Sequence, residues 1–89
     1  MSFTHYSLGH LAQGDIVEVT LQGSAANVRL MDSADFNSFR AGGRHRYYGG
    51  LAKRSPMRLS VPCAGSWHVT VDMQGLRGSV RSSVRVLST

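Results

Sequence analysis

One cysteine, two prolines and five acidic residues are what this 89-residue chain has least of. A lone Cys63 cannot close an internal disulfide, so the core alone must hold the fold, and a reducing cytoplasm is the expected home. No run approaches the roughly 18 apolar residues of a membrane span. The start, Met1 to Tyr6, lacks the basic region and apolar run of a secretory signal. Neither Asn27 nor Asn37 stands in a glycosylation sequon. The shortage of acid leaves ten basic residues against five, a net charge of +5. That excludes an acidic solvating segment and favours anionic partners, without choosing among nucleic acid, phospholipid and acidic protein.

What is present is enough apolar material for one core. Hydrophobic residues make up 42% and charged residues 17%, a folding composition rather than a disordered one. The length suits a single domain spanning 1–89. The dominant period is two. Ile16, Glu18 and Thr20 alternate with Val17, Val19 and Leu21, and Asn27 to Asp32, Met57 to Val61, Trp67 to Gln74 and Val80 to Val86 follow the same rule. One-sided alternation predicts antiparallel strands with one face buried. A further strand is expected over Phe3 to Leu8, and one near Tyr47 to Ala52.

Two glycine-bearing connections, Pro62 to Ser66 and Gly75 to Gly78, read as hairpin loops. The second would set Asp72 opposite Arg81 and Trp67 opposite Val86, with an Arg81–Asp72 ion pair on the wet side. Trp67, Val69, Val71, Met73, Val80, Val84 and Val86 would then share one apolar face. The only helical candidate is Asp32 to Phe39, with Asp32 as cap and Phe36 and Phe39 pinning one turn over an end of the core. The expected fold is therefore all-β, a single antiparallel β-sandwich of jelly-roll or Greek-key kind, with at most one short helical turn near 32–39.

The most distinctive segment lies between Asp35 and Asp72, where no acidic residue occurs. Arg40, Arg44, Arg46, Lys53, Arg54 and Arg58 fall there, with Tyr47, Tyr48 and paired glycines among them. Nine of the ten basic residues are arginine, whose planar fork bonds phosphate or carboxylate through two parallel hydrogen bonds. Glycines let a backbone approach a ligand closely, and the tyrosines offer stacking surface. These eight side chains are the candidate anion- or partner-binding residues. The competing reading is a solvated loop whose tyrosines pack as part of the sandwich.

Other chemistry finds little support. The aromatic-glycine pattern of an RRM strand, a KH-type clamp and paired zinc ligands are missing. His5, His10, His45 and His68 have no ligand spacing, and His68 is expected on the wet face. Cys63 has neither a histidine nor a helix N-terminus to activate it. Glu18 and Asp72, on exposed strand faces, form no acid–base motif. No phosphate loop or dinucleotide fingerprint occurs, so no cofactor is implied.

Gly14 to Val19, Asn27 to Asp32, Arg46 to Gly50, Ser66 to Asp72 and Val80 to Val86, taken together and in order, resemble the bacterial domain-of-unknown-function family 1883. The likeness spans essentially the whole chain. It implies a small all-β sandwich of bacterial origin, in a family where some relatives carry this module beside a Toll/interleukin-receptor-like domain. It implies no activity and no catalytic residues. The expectation is thus a non-enzymatic binding module presenting 40–58 to an anionic partner. The alternatives are a protein-interaction or oligomerisation module using Met31, Leu51 and Leu87, and a small-ligand, carbohydrate-like sandwich.

Overall fold

Alternating β-branched and polar residues make strands wherever one face can be buried, and here they build two antiparallel sheets. The computed structural model describes residues 2–88; Met1 and Thr89 lie outside the described residues. The strands are β1 (Thr4–Leu11), β2 (Ile16–Gly23), β3 (Ala26–Asp32), β4 (Tyr48–Ala52), β5 (Met57–Ser60), β6 (Gly65–Asp72) and β7 (Val80–Leu87). One helix, α1 (Ser33–Arg40), is inserted between β3 and β4. The four-stranded sheet has the order β1-β6-β3-β4, and the three-stranded sheet has the order β5-β2-β7. β1 pairs with β6, β2 with β5 and β3 with β4, the nested pairing of a jelly roll, while β7 extends the second sheet beyond β2.

The core lies between the sheets. Val17 and Val19 of β2, Val28 and Leu30 of β3, and Val69 of β6 are fully buried. Trp67 closes one end, with its indole N–H donating to the Cys63 carbonyl at 3.0 Å. Burying each such side chain stabilises the fold by about 1.5–3 kcal/mol relative to leaving it in water.

Both expected hairpins are absent. β5, β6 and β7 alternate between the sheets, so Pro62 to Ser66 and Gly75 to Gly78 each cross the sandwich. Trp67 pairs with Gly9 and Asp32 instead of Val86, and Asp72 pairs with Asn27 instead of Arg81. The physical reason is that parity alone cannot separate neighbours from opposites. Trp67, Val69, Val71, Met73, Val80, Val84 and Val86 do all join one core cluster, but from two sheets facing each other.

The helix is also placed differently. Asp32 caps it as expected, its carboxylate accepting the Asp35 N–H at 2.8 Å. Instead of closing an end of the core, α1 lies over the outer face of the four-stranded sheet. There Phe36 and Phe39 bury Met31, with Phe3 packed alongside, in a second apolar cluster. Nor are Glu18 and Asp72 exposed: only 5% and 3% of their surfaces meet solvent. They do point away from the core, but arginines and an asparagine close around them. Among the described residues no helix is long and apolar enough to cross a membrane.

Candidate functional site

The segment after α1 is shaped by how the helix ends. Gly42, at φ 83°, turns the chain left-handed, with Gly42 N–H donating to Phe39 C=O and Gly43 N–H to Ser38 C=O. This pair of bonds satisfies the last carbonyls and redirects the backbone. The Asp35 carboxylate then accepts the Arg46 backbone N–H at 3.0 Å. Between these ties His45 is held by its ring, which packs edge-on to Phe39 at 5.0 Å and tilts against Tyr47 at 5.6 Å. Arg44 and Arg46 on either side of it are exposed. Asp35, Arg44, His45 and Arg46 line an open depression of about 450 Å³.

Two carboxylates stand near this cation cluster, and each already has a hydrogen-bond donor. Asp32 caps α1, and Asp35 holds the Arg46 backbone. Among the described residues neither the Arg44 nor the Arg46 guanidinium meets a carboxylate. Arg40 does not line the depression; in the last turn of α1 it donates to Asn37 Oδ1 at 3.1 Å and lies over the Phe36 ring. Cations there also complement the negative end of the helix dipole.

The remaining candidates do not converge on the depression. Lys53 and Arg54 are exposed in the connection from β4 to β5, at the far end of β4. Arg58 sits on the other sheet, where its Nε donates to Glu18 at 2.9 Å. The tyrosines point to opposite sides of the β4 edge. Tyr47 receives the Arg29 guanidinium over its ring at 5.2 Å on the outer face, while Tyr48 packs edge-on to Trp67 at 6.1 Å. Each remains 45% exposed, but they form no single stacking platform. The paired glycines differ as well. A Cβ on Gly49 would meet the Val28 carbonyl oxygen at 2.4 Å, so this glycine serves the approach of β4 to β3, while Gly50 faces open space.

Beside the depression, the outer face of the four-stranded sheet holds groups that sequence spacing did not bring together. His68 lies between Ser33 Oγ, 2.8 Å from its Nε2, and His5 Nε2, 2.9 Å from its Nδ1. Both rings stack on Phe36, so His68 is not the solvated histidine expected. Burial holds its pKa below the ordinary value, the His5 charge adds to that, and Asp32 opposes it. The separation of 63 residues between His5 and His68 hid the pair. His45 carried a usable signal, standing between two arginines and beside an aromatic residue. Cys63, for which the sequence offered no helix N-terminus, lines a groove of about 320 Å³ with Asp32, Ser33 and Ala34 at the start of α1. Among the described residues no three His, Cys, Asp or Glu side chains are grouped to hold a metal ion.

The two sheets, the nested pairing and this basic loop belong to a chain whose full length, residues 1–89, matches one family model, Domain of unknown function (DUF1883). The chain belongs to that family. No curated protein and no solved structure matches it.

Proposed function

We propose that this DUF1883 domain is a non-enzymatic binding module that presents the loop following α1 to an anionic partner. The observation that carries the reading is the pairing pattern around the depression. Arg44 and Arg46 flank it without a carboxylate partner among the described residues, while Asp35 on its wall is already bonded to the backbone N–H of Arg46. His45 is clamped by Phe39 and Tyr47, so the two guanidinium groups leave an ordered base rather than a floppy one. An ordered backbone beneath the two forks lowers the entropy lost on binding phosphate or carboxylate. Arg40 adds a further charge at the last turn of α1, and Tyr47 an exposed ring. Lys53 and Arg54, at the far end of β4, and Arg58, tied to Glu18 on the other sheet, stand outside this site.

Titration of labelled single-stranded DNA, duplex DNA and RNA by fluorescence anisotropy tests this at about 50 and 200 mM salt. Binding at low salt is expected to weaken steeply at high salt. An Arg44→Glu/Arg46→Glu variant with an unchanged circular dichroism spectrum is expected to lose about tenfold or more in affinity. Equal binding by variant and parent would remove the loop as the site, and no binding at either salt would remove nucleic acid as the partner.

A protein-interaction role draws on a narrower base than the apolar residues Met31, Leu51 and Leu87 would suggest. Met31 is fully buried under α1, Leu87 is half-buried, and only Leu51, 50% exposed, joins the tyrosines at the surface. Light scattering that shows a salt-insensitive dimer would favour that reading over an anion site.

A further inference from the structure

Four strands border the two sheets: β1 and β4 in one, β5 and β7 in the other. An edge strand leaves a row of N–H and C=O groups unpaired, and proteins blunt such edges by shape or by charge. β1 shifts register between Ser7 and Gly9. β4 carries Gly49 and Gly50 at φ 118° and 133°, and β5 is four residues long. β7 has none of these distortions of shape, and what guards it is the charge of Arg81 and Arg85. It pairs with β2 over eight consecutive residues without a register shift, the one long regular edge among the described residues.

The direction of its free groups follows from one bond. Ser24 N–H donates to Ser79 C=O at 2.8 Å, and in an antiparallel ladder every second residue faces the neighbouring strand. Arg81, Ser83, Arg85 and Leu87 therefore turn their backbone groups toward β2, and Val80, Ser82, Val84 and Val86 turn theirs outward. Tyr6 agrees with this phase, because its hydroxyl donates at 2.8 Å to the outward Ser82 carbonyl. β7 pairs with no strand on that flank, so Val84 and Val86 offer a ready template beyond the Tyr6 contact.

The side chains say what would fit. On the outer face Arg58, Glu18 and Arg85 stand directly opposite one another across three strands. Glu18 accepts from Arg58 Nε at 2.9 Å and Arg85 Nε at 2.6 Å, so the row reads positive, negative, positive and ends on a cation at β7. Four residues earlier Arg81 lies beside Gln22 and has no carboxylate partner among the described residues. On the inner side Val84 and Val86 are half-buried. We infer that the β7 edge takes an extended acidic segment of a partner protein as a fourth strand of the β5-β2-β7 sheet. Carboxylates four residues apart lie against Arg85 and Arg81, a small polar residue lies beside Ser83, and the apolar residues on either side of the carboxylate at Arg85 cover Val84 and Val86. A second copy of β7 is the wrong occupant. Antiparallel pairing about Ser83 or Arg85 sets arginine directly against arginine, and pairing about Ser82 or Val84 sets two arginines diagonally across the seam with no carboxylate between them, which is destabilising.

The probe is a labelled, end-blocked peptide of sequence Glu-Val-Ser-Val-Glu-Val, titrated into isotope-labelled protein and followed by anisotropy and amide NMR. Binding is expected to shift the Val84 and Val86 amides and slow their hydrogen exchange. Arg81→Glu is expected to weaken it about tenfold, whereas Arg44→Glu/Arg46→Glu leaves it unchanged, which separates this surface from the proposed anion loop. N-methylation of the peptide nitrogens that face β7 is expected to abolish binding, with no change to the protein's fold. The inference fails if a scrambled or N-methylated peptide binds equally, if the shifts map to 44–54, or if no binding appears at millimolar peptide. Concentration-dependent dimerisation that protects the same amides would instead assign the edge to a second copy and overturn it.

Discussion

Asp72 is 3% exposed, and its carboxylate meets three donors: Asn27 Nδ2 at 2.9 Å, the Gln74 N–H at 3.0 Å and the Arg29 guanidinium. Arg29 is itself mostly buried, spread over the rings of Phe39 and Tyr47 at 5.2 Å each. Removing one partner of such a pair leaves an uncompensated buried charge, which costs more than the pair contributes. Asp72→Ala is therefore expected to destabilise by about 3–5 kcal/mol in urea unfolding. Adding Arg29→Met to that variant should recover much of the loss. Simple additivity of the two losses would show that the carboxylate acts mainly through Asn27 and Gln74. Parity along β6 puts Asp72 on the outward side, which is correct. What parity cannot supply is burial, because the donors that close over the group come from β3, more than 40 residues away.

At the scale of elements, α1 docks through aromatic and imidazole contacts. Phe36 stacks on both His5 and His68, Arg40 lies over Phe36, and Ser33 bonds His68. A neutral imidazole serves its two neighbours in series, one nitrogen donating and the other accepting. A protonated His68 facing a protonated His5 at a ring separation of 5.1 Å presents two donors and two like charges. Asp32 favours the charged form, but burial outweighs it, so the folded-state pKa of His68 lies below the ordinary 6.5. The unfolded chain then binds the proton more readily. The stabilisation is complete above pH 6.5 and is lost as pH falls through that value toward the folded one. Thermal unfolding is thus expected at lower temperature at about pH 5 than at about pH 8, and His68→Gln should flatten the change. The carboxylate of Glu18 is held below its ordinary range mainly by the hydrogen bond from Arg85, then that from Arg58, so its own contribution fades only at more acid pH. A profile unaltered by His68→Gln would place the sensitivity elsewhere. The capped start and aromatic spacing of α1 were legible locally, whereas the sheet face it covers depends on β1 and β6 arriving from opposite ends of the chain.

For the whole molecule, local alternation specified the class of fold because a half-buried strand writes its period into neighbouring residues. The order of strands was not written there, since β6 and β7 carry the same pattern whether they lie side by side or face to face. The basic loop was legible as composition, while its division among a clamped loop, a connection and an opposite sheet was not. Charge is the property that all these surfaces share. Three of the ten basic side chains have carboxylate partners, Arg29, Arg58 and Arg85, which leaves seven of the ten unpaired among the described residues. They are distributed over a slab only 15 Å through its shortest axis. At about 0.01 M salt the screening length is roughly 30 Å, so charges on opposite faces repel through the full thickness. At about 0.15 M it is roughly 8 Å, and that repulsion is gone. Net repulsion disfavours the compact state, so the melting temperature is expected to rise with salt across this range. Arg44→Glu/Arg46→Glu removes four units from the net charge of +5, leaving +1, and should shrink the rise. A melting temperature that falls with salt in the parent would mean instead that the three ion pairs outweigh the seven free cations, and the surplus charge would then carry little cost for the fold.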